Sequence, residues 1–266
     1  MSCACGHHAP APPDATGTEV TLTPAPVALH GRLICADAGQ MMTALDLLPA
    51  HVDLSRAEPG CLRFQIAQSD DPMIWTLDEI FADDAAFAAH RTRTAASAWG
   101  QSSTALARDF HRHEVQPRIR PETTADHAPL DALLTQAFGG PAEARLLRGL
   151  RRDGTLSHSL VAHLNGQPVG HTALSPLTAT QPALALAPLA VHPALQGRGL
   201  GLALIRAALT AAGGQPVVVL GDPRLYARAG FRPADLTSPY AGPALQIHGA
   251  LPAASPITHA PAFAQL

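Results

Sequence analysis

From residue 26 onward the chain alternates between two periodicities of apolar residues, and each change of period marks a new element. Val27 to Ala36 has the composition of a strand. From Gln40 to Ala57, Met41, Met42, Leu45, Leu48 and Val52 recur near helical spacing, with Pro49 expected to kink or split the helix. Glu58-Pro59-Gly60 ends it. Cys61 to Gln68 alternates, with Leu62, Phe64 and Ile66 on one face. Met73 to Phe81 alternates again, with Met73, Trp75, Leu77, Glu79 and Phe81 together. Asp83 is placed to cap a helix running to about Arg93, and Ala107 to Val115 supplies a last strand. The order strand, helix, strand, strand, helix, strand is that of a ferredoxin-like domain.

The second half reads differently. Leu130, Leu133, Leu134, Ala137 and Phe138 form a helical stripe, and Leu146, Leu147 and Leu150 continue in a second helix. Ser159 to Leu164 and Gln167 to Leu174 flank Asn165-Gly166, a strong hairpin signal. The apolar run Leu184 to Val191 predicts a buried central strand. It stops at His192-Pro193, and the turn Gln196-Gly-Arg-Gly-Leu-Gly201 follows. Leu202, Ile205, Leu209 and Ala212 then keep helical spacing up to the stop at Gly213-Gly214. Val217 to Leu220 is a further buried strand. The expected organisation is α+β in two domains, residues 26–115 and 116–252. Residues 1–25, rich in Pro, Ala and His, are expected to be a disordered tail, and 253–266 a second tail.

A glycine-rich turn between a strand and a helix suits an anion. Its amides approach a phosphate closely, and the helix N-terminus adds partial positive charge. A dinucleotide site needs Gly-x-Gly-x-x-Gly, but Leu202 or Leu204 stands where the third glycine belongs, although Asp222 lies where a ribose-binding acid would. A plain helix-capping turn is another reading. The spacing that is filled is Gln196-x-x-Gly199-x-Gly201. Here the sequence resembles the GNAT N-acetyltransferases, whose pyrophosphate loop has Arg or Gln, two residues, Gly, one residue, then Gly or Ala. Ile119-Arg-Pro121 resembles the opening strand of that domain. Tyr226-Ala-Arg-Ala-Gly-Phe231 is similar to the family's Tyr-x-Arg-x-Gly-Phe, with Leu225 and Ala229 where one branch usually has aromatics.

That resemblance implies a mixed central sheet with flanking helices and acetyl-CoA as cofactor. Backbone groups of Leu189, Ala190 and Val191 would pair with the pantetheine amides. Gln196, Gly197, Arg198, Gly199, Leu200 and Gly201 would take the pyrophosphate. Tyr226 matches the position of a general acid for the leaving thiolate; a packing Tyr with a satisfied hydroxyl is the alternative. No base is assigned, and His192, before Pro193, reads as structural. The acceptor is expected to be a small-molecule or peptide amine.

In the first half, His51-x-x-x-Ser55-Arg56-x-Glu58-Pro59-Gly60-Cys61 and Glu79-x-Phe81-x-Asp83-x-x-Ala86-Phe87-x-x-His90 resemble the ABM family, small domains of the antibiotic-biosynthesis monooxygenase type. The resemblance implies a barrel-type ferredoxin-like fold, a homodimer, and either cofactor-free oxidation of quinol-like compounds, haem degradation, or a role as a dimer module. Glu79 and His90 are the second-site candidates. Glu79 lies on an apolar face, where an unpaired carboxylate is costly and its pKa rises; pairing with Arg56 or Arg63 is the alternative. His90 reads as a pocket residue, as a haem ligand, or as an ordinary helix-end His.

Composition narrows the partners. The formal net charge is -3, and no Lys/Arg block suggests nucleic acid or an anionic membrane. Arg145, Arg148, Arg151 and Arg152 are expected on a solvated helix face. No apolar run is long enough to span a membrane, and the N-terminus does not read as a secretory signal, so a cytoplasmic protein is expected. Four cysteines make no disulfide framework in a chain of 266 residues. No paired cysteine or carboxylate motif demands a metal, although Cys3, Cys5, His7 and His8 offer crowded donors for zinc or copper. An acetyltransferase is the leading expectation. The alternatives are an ABM-type monooxygenase with an accessory second half, or a non-enzymatic acyl-CoA-binding module.

Overall fold

The computed structural model describes residues 16–265, so Cys3, Cys5, His7 and His8 lie outside the described residues. The described chain divides into two compact units, one of residues 23–116, the other of residues 16–22 together with 117–265. Residues 16–22 are therefore not a tail. Strand β1 (Thr18–Glu19) pairs with the opening strand of the second unit, and Arg118 Nη1 donates to Glu19 Oε2 at 2.7 Å.

The first unit runs β2 (Val27–Ile34), α1 (Ala38–Arg56), β3 (Cys61–Gln68), β4 (Ile74–Phe81), α2 (Asp84–Ala96), α3 (Ala98–Ser102) and β5 (Ala107–Glu114). Its sheet has the order β3-β4-β2-β5, antiparallel throughout, which is the ferredoxin-like arrangement expected. Both main helices begin at an aspartate whose carboxylate accepts from an amide three residues on: Asp37 from Gln40 N and Asp83 from Ala86 N, each at 2.9 Å. The buried face of α1 is Ala44, Leu48, His51 and Ser55, while Met42 and Leu45 face solvent. Two polar residues thus sit where the apolar stripe predicts hydrophobes. Pro49 lies inside a continuous helix; it is exposed, so the carbonyl it leaves unpaired can be hydrated.

The second unit is a mixed sheet with helices on both faces. After β6 (Arg118–Pro121) come α4 (His127–Phe138), α5 (Ala142–Arg152), β7 (His158–Leu164), β8 (Gln167–Leu177) and β9 (Ala183–Val191). Then follow α6 (Leu200–Ala211), β10 (Val217–Leu220), α7 (Pro223–Ala227), β11 (Arg232–Pro233), β12 (Leu236–Thr237), β13 (Leu245–His248) and β14 (Ser255–Pro256). The sheet order is β1-β6-β7-β8-β9-β10-β13-β11, and β9 and β10 are its parallel neighbours. Leu130, Leu134 and Leu147 pack on Val161, Ala173 and Ala190, covering one face; Ile205 and Ala208 pack with Leu186 and Val219 on the other. Residues from 253 to 265 are also not a tail. Ile257, Ala260, Ala262 and Phe263 are buried in one cluster with Leu146, Leu150 and Val218.

Candidate active site

Strands β9 and β10 start side by side and then separate. Their pairing covers only Leu184 with Val217 and Ala185 with Val218, although β9 continues to Val191 and β10 to Leu220. The far half of β9 stays paired with β8 on its other side, Leu189 with Thr172 and Ala190 with His171. Between these, Ala187 and Pro188 oppose the single residue Ala173, a bulge that bends the strand where the two part. The result is a splay whose β9 wall, Leu189 to Val191, has backbone groups on the β10 side without a strand partner.

The expected loop caps this splay. Pro193–Leu195 is one 3-10 turn, and Gln196 Nε2 donates back to Val191 O at 3.1 Å, tying the loop to the strand end. Gly199 has φ 90° and Gly197 φ 76°, left-handed values that cost a residue with Cβ. A Cβ at either would meet nothing within 4 Å, so open space lies in front of this backbone. The first helical bond of α6 is Ala203 N to Gly199 O, 3.1 Å. The amides of Leu200, Gly201 and Leu202 therefore have no carbonyl within the helix, and they point along the positive end of its dipole. The cradle fits a pyrophosphate: donors, field and room coincide. His192 is 7% exposed and structural: its Nδ1 accepts from Ala194 N, and burial lowers its pKa to about 4.

Tyr226 lies in α7, just past the end of β10, where Asp222 caps the helix. Its ring is buried against Phe231, with centroids 5.4 Å apart, in the cluster that also holds Leu186 and has Leu189 packed on it. The hydroxyl makes no hydrogen bond to a described residue. Burial pushes its pKa up to about 12, so it carries its proton at neutral pH.

Sequence reading missed a polar network under α4 and α5. Glu122 receives Arg151 Nε and Nη2, both at 2.8 Å, and the Ser159 hydroxyl; Ser159 Oγ lies 2.8 Å from His171 Nε2. His171 is fully buried, and burial lowers its pKa. Burial alone would raise Glu122, but hydrogen bonds from His171, Arg151 and Ser159 hold it well below the usual carboxylate range. Arg151 is thus a network member rather than part of a solvated face, while Arg148 pairs with Asp131 and Arg152 with Asp153 at the surface. Only three-dimensional pairing brings positions 122, 151, 159 and 171 together; no spacing announces them.

In the first unit a second cluster forms between α1, α2 and the sheet. Arg93 Nε donates to Glu58 Oε1 at 2.7 Å and Arg93 Nη2 to Ser55 Oγ at 2.7 Å. Arg93 Nη1 lies 3.1 Å from His51 Nδ1, and His90 Nδ1 lies 2.9 Å from Glu58 Oε2. His90 is therefore an interior residue, 4.8 Å from the Phe81 ring, and burial lowers its pKa. Burial also lowers His51 to about 3, with Arg93 and His90 adding to it. Glu79 is 3% exposed, and its Oε2 has no hydrogen-bond partner. Neither arginine suggested by the sequence relieves it: Arg56 donates to Phe64 O, and Arg63 pairs with Asp78 at 2.9 Å. Burial, then Glu58 and Asp78, push Glu79 up to about 8 against the pull of Arg93.

Comparison with known proteins matches both halves. The sequence profile of the GNAT acetyltransferase domain fits residues 155–233, and that of the antibiotic biosynthesis monooxygenase (ABM) domain fits residues 27–102. The N-acetyltransferase YhbS of Escherichia coli K12 is 42% identical over 120 residues, which cover 42% of this chain and 72% of YhbS. The crystal structure of YhbS in complex with CoA superposes with a TM-score of 0.53 and 34% identity, covering 56% of this chain and 93% of that one. The mycothiol acetyltransferase of Nocardia farcinica is 36% identical over 118 residues, 44% of this chain and 35% of that enzyme. The chain belongs to the GNAT family of N-acetyltransferases and carries an ABM domain ahead of the GNAT domain. None of its described helices is long and apolar enough to cross a membrane.

Proposed function

We propose that this protein transfers the acetyl group of acetyl-CoA to the amine of a small molecule or peptide. The observation that carries this reading is the open glycine turn at the N-terminus of α6, set at the end of a strand that has parted from its neighbour. The turn from Gln196 to Gly201 holds the pyrophosphate by backbone amides, and Leu189 to Val191 pair with the pantetheine arm as a strand would. This places the thioester in the splay. The neutral amine attacks the thioester carbonyl, its nitrogen loses a proton to water, the C–S bond breaks, and the Tyr226 hydroxyl gives its proton to the departing sulfur and regains one from solvent. A hydroxyl that keeps its proton at neutral pH is available at that moment.

Calorimetric titration of the full chain with acetyl-CoA tests this reading. Micromolar binding, about 8 kcal/mol, is expected for the wild type and is lost in Gly199→Glu, whose side chain places a negative charge in the cradle. Absence of wild-type binding sinks the reading; binding without turnover on any amine leaves an acyl-CoA-binding module.

The buried Glu79 Oε2, which has no hydrogen-bond partner, favours a second activity in the ABM unit, proton abstraction from a quinol-like compound ahead of its oxidation by oxygen. Oxygen uptake with quinols by the full chain, abolished in Glu79→Gln, is the outcome expected. Without uptake, the unit is left with dimerisation as its role, expected as one mass of twice the chain in light scattering.

A further inference from the structure

We propose that His30, His111 and His113 form a three-imidazole site for a zinc-type divalent cation on the sheet of the first unit. The strand register brings them together. His30 on β2 stands directly opposite His111 on β5, and Ala28, two residues earlier on the same face, stands opposite His113. Leu29, Leu33 and Phe110 pack in the clusters beneath the helices, so period-two alternation puts all three histidines on the other face. The His30 ring centroid is 5.5 Å from that of His111 and 5.3 Å from that of His113. Two imidazoles on one tetrahedral zinc, each with Zn–N of about 2.0–2.1 Å, have centroids about 5 Å apart. Two of the three ring pairs therefore already have the spacing of a shared metal.

The orientation is not. His30 stacks on His111 and meets His113 edge-on, and among the described residues no three metal-ligating side chains yet converge on one point. Convergence asks for rotation about side-chain torsions, and the His111 side chain is 67% exposed. Carboxylates wait around the rings. Asp109 Oδ1 lies 3.5 Å from His111 Nε2, and Asp78 is paired with His30 across the strands. Each is steadied by an arginine, Asp109 by Arg32 at 2.6 Å and Asp78 by Arg63 at 2.9 Å. Such carboxylates accept the second N–H of a ligating imidazole and offset the cation's charge. Three nitrogens leave the fourth tetrahedral position to water. None of the three histidines belongs to the acetyl-transfer site or to the cluster around Glu79.

The test is zinc titration by calorimetry on the metal-stripped full chain. Cys3→Ser, Cys5→Ser, His7→Ala and His8→Ala are introduced together first, so that the N-terminal donors do not compete. One equivalent of zinc is expected. His111→Gln and His30→Ala should each weaken it at least tenfold, and His158→Ala, an exposed histidine of the second unit, should leave it unchanged. Cobalt in place of zinc should give tetrahedral visible bands without thiolate charge transfer. His111→Gln alters only an exposed side chain, so folding does not confound it. No stoichiometric zinc in this background, or affinity unchanged in both His111→Gln and His30→Ala, overturns the proposal.

Discussion

Gly221 leaves the space that the Tyr226 ring fills: a Cβ at position 221 would overlap Tyr226 Cε2. The side chain proposed to protonate the leaving thiolate is thus positioned by an absent side chain five residues before it. Gly221→Ala has to push the ring, which also packs on Phe231. We expect this substitution to cost about 1–3 kcal/mol of stability through overpacking. It should also lower acetyl transfer by displacing the hydroxyl. Tyr226→Phe separates the two effects. It keeps the ring and removes a hydroxyl that bonds nothing in the described chain, so stability should change little while kcat falls by about 100-fold. Steady-state kinetics beside thermal melts of both variants check this; an unchanged kcat in Tyr226→Phe removes the acid role.

The ABM unit should have an optimum of stability on the acid side of neutrality. Glu79 titrates at about 8 in the folded chain against 4.5 for an ordinary carboxyl, so the folded state holds a proton that the unfolded state has released. Its contribution is complete below about 4.5 and is lost as pH rises to about 8, roughly 5 kcal/mol over the whole interval. His51 works in the other direction. Its folded value of about 3 lies below 6.5, so its contribution is complete above 6.5 and is lost as pH falls toward 3. Between 4.5 and 6.5 the two slopes cancel, leaving a plateau with losses on either side. Both tryptophans, Trp75 and Trp99, belong to this unit, so tryptophan fluorescence in urea follows it alone. Glu79→Gln should flatten the decline between pH 6.5 and 8. A decline that persists in this variant assigns the proton elsewhere.

What could be read in advance follows a physical line. The glycine turn was legible because Gly199 with its left-handed φ and the α6 N-terminus are local features, written in consecutive residues. The first unit's strands were legible because Phe64 and Leu77 alternate with polar neighbours along the chain. The Glu122–Arg151–Ser159–His171 network was not, because its members come from three elements and the connection after β6 and meet only after the sheet forms. The buried face of α1 was misjudged because His51 and Ser55 satisfy Arg93 from inside the helix packing, so polar residues hold core positions. The segment after residue 252 was misjudged for a different reason. Its many alanines and prolines look like a tail, but Ala262 is small because it has to be.

Ala262 packs against Gly149 of α5, and a Cβ at 149 would come to 2.9 Å from the Ala262 Cβ. Two small residues therefore let the last segment lie on the helix, and Phe263 beside them is buried. Gly149→Ala sets two effects against each other. Helix propensity favours Ala by about 1 kcal/mol, while overpacking costs about 1–3 kcal/mol. Because the contact is backbone-anchored on both sides, the overpacking should win and the variant should be less stable. Phe263→Ala removes a buried ring from the cluster with Leu146 and Leu150, at a cost of about 3–5 kcal/mol. Ending the chain at residue 252 strips Ile257, Ala260, Ala262 and Phe263 from that cluster together. In scanning calorimetry with tryptophan fluorescence to mark the first unit, only the other transition should move. The order expected is Gly149→Ala least, Phe263→Ala more, and the shortened chain most. A shortened chain that melts with the wild type would show that the last segment rests on the core without supporting it.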